Sequence, residues 1–398
     1  MEFPSFAIAT LPRLAFGEGR IAELPGFIAE YGRKVLLVTG ARAFRATPHW
    51  QRLIDALKAD GIELESFSVS GEPSPALVDE AVQRFHRSGI EVVVGIGGGS
   101  VIDAAKAIAG LLPSGRSVLD FLEDVGRGLP YTGPSTPFIA VPTTAGTGSE
   151  ATKNAVLSMR GHGGYKKSFR HEQLVARVAL VDPALLASCP PQHVAAQGMD
   201  AFTQLLESYV SVRANPFTDG LALSGLRAVK QGFMDAWRGG DSAAARNGRA
   251  AMAYAAYVSG VTLAQVGLGS VHGLAQPLGA FFPVPHGVAC GTTVAAATAA
   301  NIAALRARDP QGPGLRRYAE VGRLLSDKPC EDDAAACDAL VQVLMQWTEQ
   351  LGLPRLSAYG VSEADLPRIV QASRNNSMKT NPVLLTDEEI AAIVRARL

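Results

Sequence analysis

Glu91-Val92-Val93-Val94-Gly95-Ile96-Gly97-Gly98-Gly99-Ser100-Val101-Ile102-Asp103-Ala104-Ala105-Lys106 decides the fold. Its first part is a near-continuous β-branched run, the composition of a strand buried on both faces. Its second part has a helical pattern that runs to about Leu112, before Pro113 stops it. Strand, glycine turn and helix together open a βα unit. Successive glycines let backbone N–H groups approach a pyrophosphate with no Cβ in the way, and the helix N-terminus adds a favourable dipole. The same turn also serves as a plain tight connection. Ser100 and Asp103 are placed to form an N-cap pair. The G-x-G-x-x-G fingerprint is not met, because Ser100 stands where its last glycine belongs.

Working outward, Val35-Leu36-Leu37-Val38-Thr39, Phe138-Ile139-Ala140-Val141 and Val178-Ala179-Leu180-Val181 are further apolar strands, each bounded by Gly, Pro or Asp. Between them lie helical patterns at Trp50 to Asp60 and Ala76 to Arg87. This alternation predicts a parallel sheet with helices on both faces. Directly after Val141 comes Pro142-Thr143-Thr144-Ala145-Gly146-Thr147-Gly148-Ser149-Glu150, a second loop of hydroxyls and glycines at the carboxyl end of a strand, where nucleotides bind in such sheets. After Asp182-Pro183, an N-cap followed by Pro at the first helical position, strand signals fade. Ala-rich segments of helical period follow at Phe217 to Trp237, Gly248 to Val266, Leu315 to Leu325, Asp333 to Gln350 and Thr386 to Leu398. The expected division is an α/β dinucleotide-binding domain over 1–187, Rossmann-like with a parallel sheet, and an all-helical domain over 188–398.

The composition suits a globular chain that binds a small molecule. Of the 398 residues 47% are apolar and 19% charged, enough for a large core without disulfides. Lys plus Arg and Asp plus Glu number 37 each, with no basic run, which removes the electrostatic case for nucleic acid or an anionic membrane. Cys189, Cys290, Cys330 and Cys337 are scattered without C-x-x-C spacing and read as free thiols in a reducing compartment. The start, Met1-Glu2-Phe3-Pro4-Ser5-Phe6, lacks the basic and apolar regions of a signal peptide, so a cytoplasmic location is expected. The uncharged run from Ala250 to Val271 is rich in Ala, Gly, Ser, Thr and Gln, and reads as a buried central helix rather than a membrane span.

A third set of residues has the chemistry of a metal site. Asp200 and Gln204, in Gly198-Met199-Asp200-Ala201-Phe202-Thr203-Gln204, are four apart and share a face if that segment is helical; His272 and Gln276 repeat the relation, and His286 follows. Asp and His are ligands for divalent metals, and the same residues are also compatible with core positions.

Jointly, Gly97-Gly98-Gly99-Ser100-x-x-Asp103, the 142–150 loop, Gly198-Met199-Asp200-Ala201 and Pro285-His286-Gly287 resemble the iron-containing, or group III, alcohol dehydrogenase family in order and spacing, over nearly the whole chain. The resemblance implies a dehydroquinate synthase-like fold with the active site in a cleft between the domains, and reversible oxidation of alcohols by NAD or NADP. It implies that Gly97, Gly98, Gly99 and Ser100, with Asp103 on the helix they open, hold the pyrophosphate. Thr143, Thr144 and Thr147 would contact ribose, phosphate or nicotinamide, and Lys167 is a looser match to a cofactor-contacting lysine. An aspartate and three histidines hold iron or zinc in typical members; they map onto Asp200, Gln204, His272 and His286, and a further histidine of proton-relay role maps onto Gln276. Twice, then, this chain has glutamine for imidazole. A carboxamide oxygen is a poorer donor suited to hard cations, so Fe2+ or Zn2+ is expected to bind with altered affinity or preference. At Gly40, the end of the first strand of the nucleotide fold, Thr39-Gly40-Ala41-Arg42 lacks the acid common in NAD-preferring members, and with Arg45 nearby this favours NADP.

The expected reaction is hydride transfer between nicotinamide and a small alcohol or carbonyl, assisted by a metal on Asp200, His272 and His286. Phe202, Leu268, Leu274, Phe281 and Phe282 are expected to line an apolar substrate pocket. Three alternatives stand beside this reading: a metal-independent reductase of the maleylacetate reductase type, in which Gln204 and Gln276 donate to the oxyanion; a dehydroquinate synthase-like lyase, against which a scarcity of basic residues near the motifs is counted; and a non-catalytic protein that binds dinucleotide without turnover. A homodimer is expected from the resemblance.

Overall fold

The computed structural model describes residues 4–161 and 163–398; Met1, Glu2 and Phe3, on which the reading of the N-terminus partly rests, lie outside them. The first half contains strands β1 (Arg13–Phe16), β2 (Lys34–Gly40), β3 (Glu63–Val69), β4 (Val92–Gly97), β5 (Phe138–Pro142), β6 (Asn154–Met159), β7 (Tyr165–Arg170) and β8 (Val178–Val181). Among them run helices α1 (Leu24–Ala29), α2 (Pro48–Ala59), α3 (Pro75–Phe85) and α4 (Gly99–Leu111). Six strands form one sheet in the order β1-β8-β5-β4-β2-β3, and every pairing in it is parallel.

Alternation along the central strands explains their unbroken apolar sequence. Leu36, Val38 and Val93 enter one core under α3 and α4, whereas Val35, Leu37, Val92 and Val94 enter another on the opposite face. From β2 the chain moves outward to β3 and then returns to place β4 on the other side of β2. That reversal puts the carboxyl ends of β2 and β4 side by side and opens a crevice between them, the usual ligand position in such sheets. Strands β1 and β3, at the two edges, and the antiparallel pair β6–β7 escaped the sequence reading.

Among the described residues no strand follows Val181, and the expected division at 188 falls between β8 and the first long helix. The helices are α5 (Pro191–Val210), α6 (Pro216–Arg238), α7 (Ala243–Val266), α8 (Ser270–Phe281), α9 (His286–Arg308), α10 (Pro313–Leu325), α11 (Asp333–Gln350), α12 (Leu366–Ser373) and α13 (Asp387–Arg395). The run from Ala250 to Val271 is not one helix. Gly267, at φ 76°, ends α7, and α8 leaves at 100° to it. Helix α9, long and apolar enough by composition to cross a bilayer, is 78% buried within the fold over its apolar window.

The two halves meet backbone against backbone. A Cβ on Gly260 of α7 would lie 2.1 Å from the carbonyl oxygen of Gly148, and Gly148 itself has φ of +60°, a left-handed conformation that glycine adopts without strain. The hydroxyl-rich loop after β5 is thereby seated directly on the helical half. Gly260→Ala is expected to cost about 1–3 kcal/mol by overpacking and to weaken dinucleotide binding by displacing Thr147 and Ser149. Thermal unfolding and a fluorescence titration check this; an unchanged melting temperature and affinity would mean that the contact has slack.

Candidate active site

At the carboxyl end of β4 the chain turns through Gly98, the N-cap of α4, which uses no side-chain cap. The first N–H groups of α4 are thus left for a ligand. The expected Ser100–Asp103 cap pair does not form: Asp103 instead accepts a short hydrogen bond from the Ser149 hydroxyl. Glycines set the spacing of the two loops. A Cβ on Gly98 would come within 3.1 Å of Thr144, and one on Gly99 within 2.7 Å of Thr147. Lys106, fully buried, stitches them further by donating to Ser149 O (2.7 Å), Ser149 Oγ (3.1 Å), Thr152 Oγ1 (3.0 Å) and Asn154 O (2.7 Å). Burial lowers the Lys106 ammonium to about 8 against the pull of Asp103 and Glu150, and burial raises the neighbouring Glu150 carboxyl to about 7.

The second cluster is built from three helices. Asp200, Gln204 and Glu207 lie along one face of α5, His272 and Gln276 along α8, and His286 is the first residue of α9. Gly287 allows that start to pack on α5, since a Cβ there would sit 2.5 Å from Ala196 O. Glu207 fixes the start of α8: one carboxylate oxygen accepts from Val271 N (2.7 Å), and the other pairs with His272 Nδ1 (2.6 Å). With Nδ1–H committed to Glu207, the Nε2 of His272 faces Asp200 Oδ1 at 3.2 Å; His286 Nε2 lies 3.7 Å from the same oxygen.

These atoms do not satisfy one another as neutral groups. Against the cost of its burial, His272 is pushed well above the usual imidazole range by Cys290, Glu207 and Asp200 around it. Asp200 lies below the carboxylate range: burial opposes its ionisation, and the imidazoles and Gln204 outweigh it. His286 is held neutral, lowered to about 4 by burial with Lys166 adding to it, despite the pull of Asp200. A carboxylate and two imidazole nitrogens converging here, with a carboxylate behind His272, fit a divalent metal.

Between the two clusters runs a cleft of about 590 Å³. Gly99, Ser100, Asp103, Thr147 and Lys167 reach it from the α/β half, and Gln204, His272, Gln276 and His286 from the helical half. Gly40, Gly97, Gly98, Thr143 and Thr144 do not line it, although Thr143 N donates to Gly97 O at 2.9 Å and so joins the two loops.

Both halves match sequence profiles of known families. Residues 12–183 match that of the iron-containing alcohol dehydrogenases, and residues 194–398 match the C-terminal region of the Fe-containing alcohol dehydrogenase family. The chain belongs to the iron-containing alcohol dehydrogenase family. It is 32% identical to a 1-propanol dehydrogenase of Salmonella typhimurium, covering 99% of this chain and 100% of that protein. It is 28% identical to an NAD-dependent methanol dehydrogenase of Bacillus methanolicus, with 97% and 98% covered. A crystal structure of a 1,3-propanediol oxidoreductase superposes with a TM-score of 0.89 at 28% identity, covering 99% and 100% of the two chains.

Several site expectations change against this family frame. Lys167 pairs with Asp124 at 2.6 Å, whereas Lys166, only 13% exposed, is the lysine whose charge His286 feels. Gln276 lines the cleft, but its amide nitrogen is spent on Lys166 O at 2.8 Å. The expected apolar lining is corrected: Phe202 and Leu274 are core, Phe281 and Phe282 lie under Arg368, and of the five only Leu268 reaches the cleft, beside Leu263. Basic residues are not scarce either, because Lys166, Lys167, Arg170, Arg374 and Lys379 all line it. Four of these are matched by acids, in the pairs Lys166–Glu72, Lys167–Asp124, Arg170–Glu123 and Arg374–Asp387. The sequence reading also missed Lys106, Glu207 and the buried Cys290 beside the histidines; Cys290 stands four residues after His286 on one helical face, and that spacing is its signal.

Glu207 anchors one imidazole, so Glu207→Gln is expected to lower metal affinity by about 10–100-fold, the usual effect of losing a ligand's hydrogen-bond partner. Competition with a chromophoric chelator measures it. Wild-type affinity in the variant would show that His272 needs no anchor.

Proposed function

We propose that this chain is an NAD(P)-dependent alcohol dehydrogenase or aldehyde reductase that moves hydride between nicotinamide and a small alcohol or carbonyl. One observation carries the reading: a single cleft is lined by Gly99 and Ser100 at the open start of α4 and by His272 and His286, with Asp200 buried beside the two histidines. Relatives named for methanol, 1-propanol and 1,3-propanediol support small alcohols as the substrate class.

The chain's own residues divide the work. The open N–H groups at Gly99 and Ser100 would hold the pyrophosphate, and Thr147 would orient the nucleotide across the crevice. Asp200, His272 and His286 would hold the metal, which when bound supplies Lewis-acid polarisation of the substrate oxygen. Neither Gln204 nor Gln276 exchanges a proton at neutral pH, so the proton would come from water or a cofactor hydroxyl. For the cofactor we favour NADP. No acid stands at the end of β2, and Arg45, which donates to Thr39 Oγ1 at 3.0 Å and lies 5.0 Å over the Trp50 ring, is held beside that strand end. A cytoplasmic homodimer with a domain division near residue 188 completes the reading.

The test is NADPH and NADH oxidation against a panel of small aldehydes, with chelator-stripped enzyme, metal-reloaded enzyme and Asp200→Ala. The expected outcome is activity restored only by metal and at least a hundredfold lower in the variant, as removal of a transition-state electrostatic contact costs about 10²–10³. Equal rates in stripped and reloaded enzyme would move the protein to the metal-independent reductases.

A further inference from the structure

The family pattern places an imidazole where this chain has Gln204, and Gln204 is otherwise engaged. Its amide nitrogen donates to Asp200 Oδ1 at 3.0 Å, and its carbonyl oxygen takes a hydrogen bond from Ser259 Oγ at 2.6 Å. An ionised carboxylate only accepts, so in this arrangement the amide nitrogen faces Asp200, while the single proton of Ser259, which also has Ala256 O at 2.8 Å, faces the amide oxygen. The carboxamide oxygen, the one atom through which glutamine binds a metal, therefore points to Ser259 and away from the cluster.

Cys290 stands in its place. It lies one turn after His286 on α9, is fully buried, and sets Sγ 3.6 Å from His272 Nε2 and 3.9 Å from His286 Nε2. The donor atoms of Asp200, His272, His286 and Cys290 all lie within 4.8 Å of one another. Tetrahedral zinc, with nitrogen and oxygen donors at about 2.0–2.1 Å and sulfur at about 2.3 Å, leaves neighbouring donors about 3.3–3.6 Å apart. Of the six edges of such a tetrahedron, four measure 3.2, 3.6, 3.7 and 3.9 Å, and the other two lie within 4.8 Å, so closing on an ion needs the donors to move inward.

We propose that Cys290, and not Gln204, is the fourth metal donor, so that this member of the family carries an Asp-His-His-thiolate site selective for zinc over iron. The proposal rests on the metal-assisted reading above and adds to it. Metal binding displaces the thiol proton to solvent, and a thiolate is a soft ligand that favours zinc. One carboxylate and one thiolate balance the charge of the dication. Gln204 would leave a net positive site held by one anionic ligand fewer. Substrate would reach the site from the side of His286, whose side chain is 26% exposed and lines the cleft, against 1% for Asp200.

Cobalt(II) tests this without recourse to activity. Metal-free wild-type enzyme and Cys290→Ser, checked for equal circular dichroism, are loaded with cobalt(II); bound metal is counted and the near-ultraviolet absorption recorded. One equivalent of cobalt with a thiolate-to-metal charge-transfer band in the wild type, absent from Cys290→Ser, is the expected result, with zinc affinity in the variant reduced at least tenfold. One equivalent bound without the band in the wild type, or with an equal band in Cys290→Ser, overturns the thiolate assignment and leaves the metal reading standing. Wild-type enzyme that binds no cobalt, zinc or iron overturns both.

Discussion

The helical half is organised around a buried carboxylate. Asp200, 1% exposed, faces two imidazole nitrogens, and a second buried carboxylate, Glu207, stands behind one of them. An ionised carboxylate in such a place costs several kcal/mol unless it is paired and hydrogen-bonded. Its partners come from elements far apart in sequence, so the charge dictates the packing. Helix α5 contributes the acids from one face, α8 must break from α7 and turn through 100° to present His272, and α9 must begin at His286. The same convergence of a carboxylate and two imidazole nitrogens is what suits the cluster to a divalent metal.

A second constraint couples that site to the nucleotide loops. Gly148 and Gly260 touch through their backbones, while Gly98 and Gly99 admit Thr144 and Thr147 to within Cβ distance. Lys106 then ties the start of the β6–β7 pair to α4, and β7 in turn holds Gln276 through Lys166 O. The distance between the open start of α4 and the metal donors is thus set by contacts with little room to adjust. Hydride transfer needs its reacting atoms held about 3–3.5 Å apart and aligned, and a misplacement of about 1 Å can cost about a hundredfold. Rigid glycine contacts and a buried lysine are a physical means to that end.

Much of this was legible in the sequence, for reasons that differ from residue to residue. Strands β2, β4, β5 and β8 were visible because burial on both faces leaves an unbroken apolar run. Strands β1 and β3 were not, because edge positions such as Glu63 and Glu65 carry polar side chains, and neither alternates cleanly enough to show. Asp200 with Gln204 and His272 with Gln276 were readable from their four-residue spacing. Lys166 was not singled out beside Lys167 because both line the cleft, and only the packing shows that Lys166 lies near His286 while Lys167 pairs with Asp124. Phe202 and Leu274 were given to the substrate because apolar residues near a site carry no mark of whether they look inward. Cys290 was invisible as a lone thiol and becomes legible only when counted from His286 along the helix.

The proposed metal lies between the acid of α5 and the histidines of α8 and α9. Crystals grown with zinc and a dinucleotide, measured on both sides of the zinc absorption edge, test it most directly. The predicted result is one anomalous peak per chain at bonding distance from Asp200, His272 and His286. No peak there, or a peak held only by other residues, would contradict it.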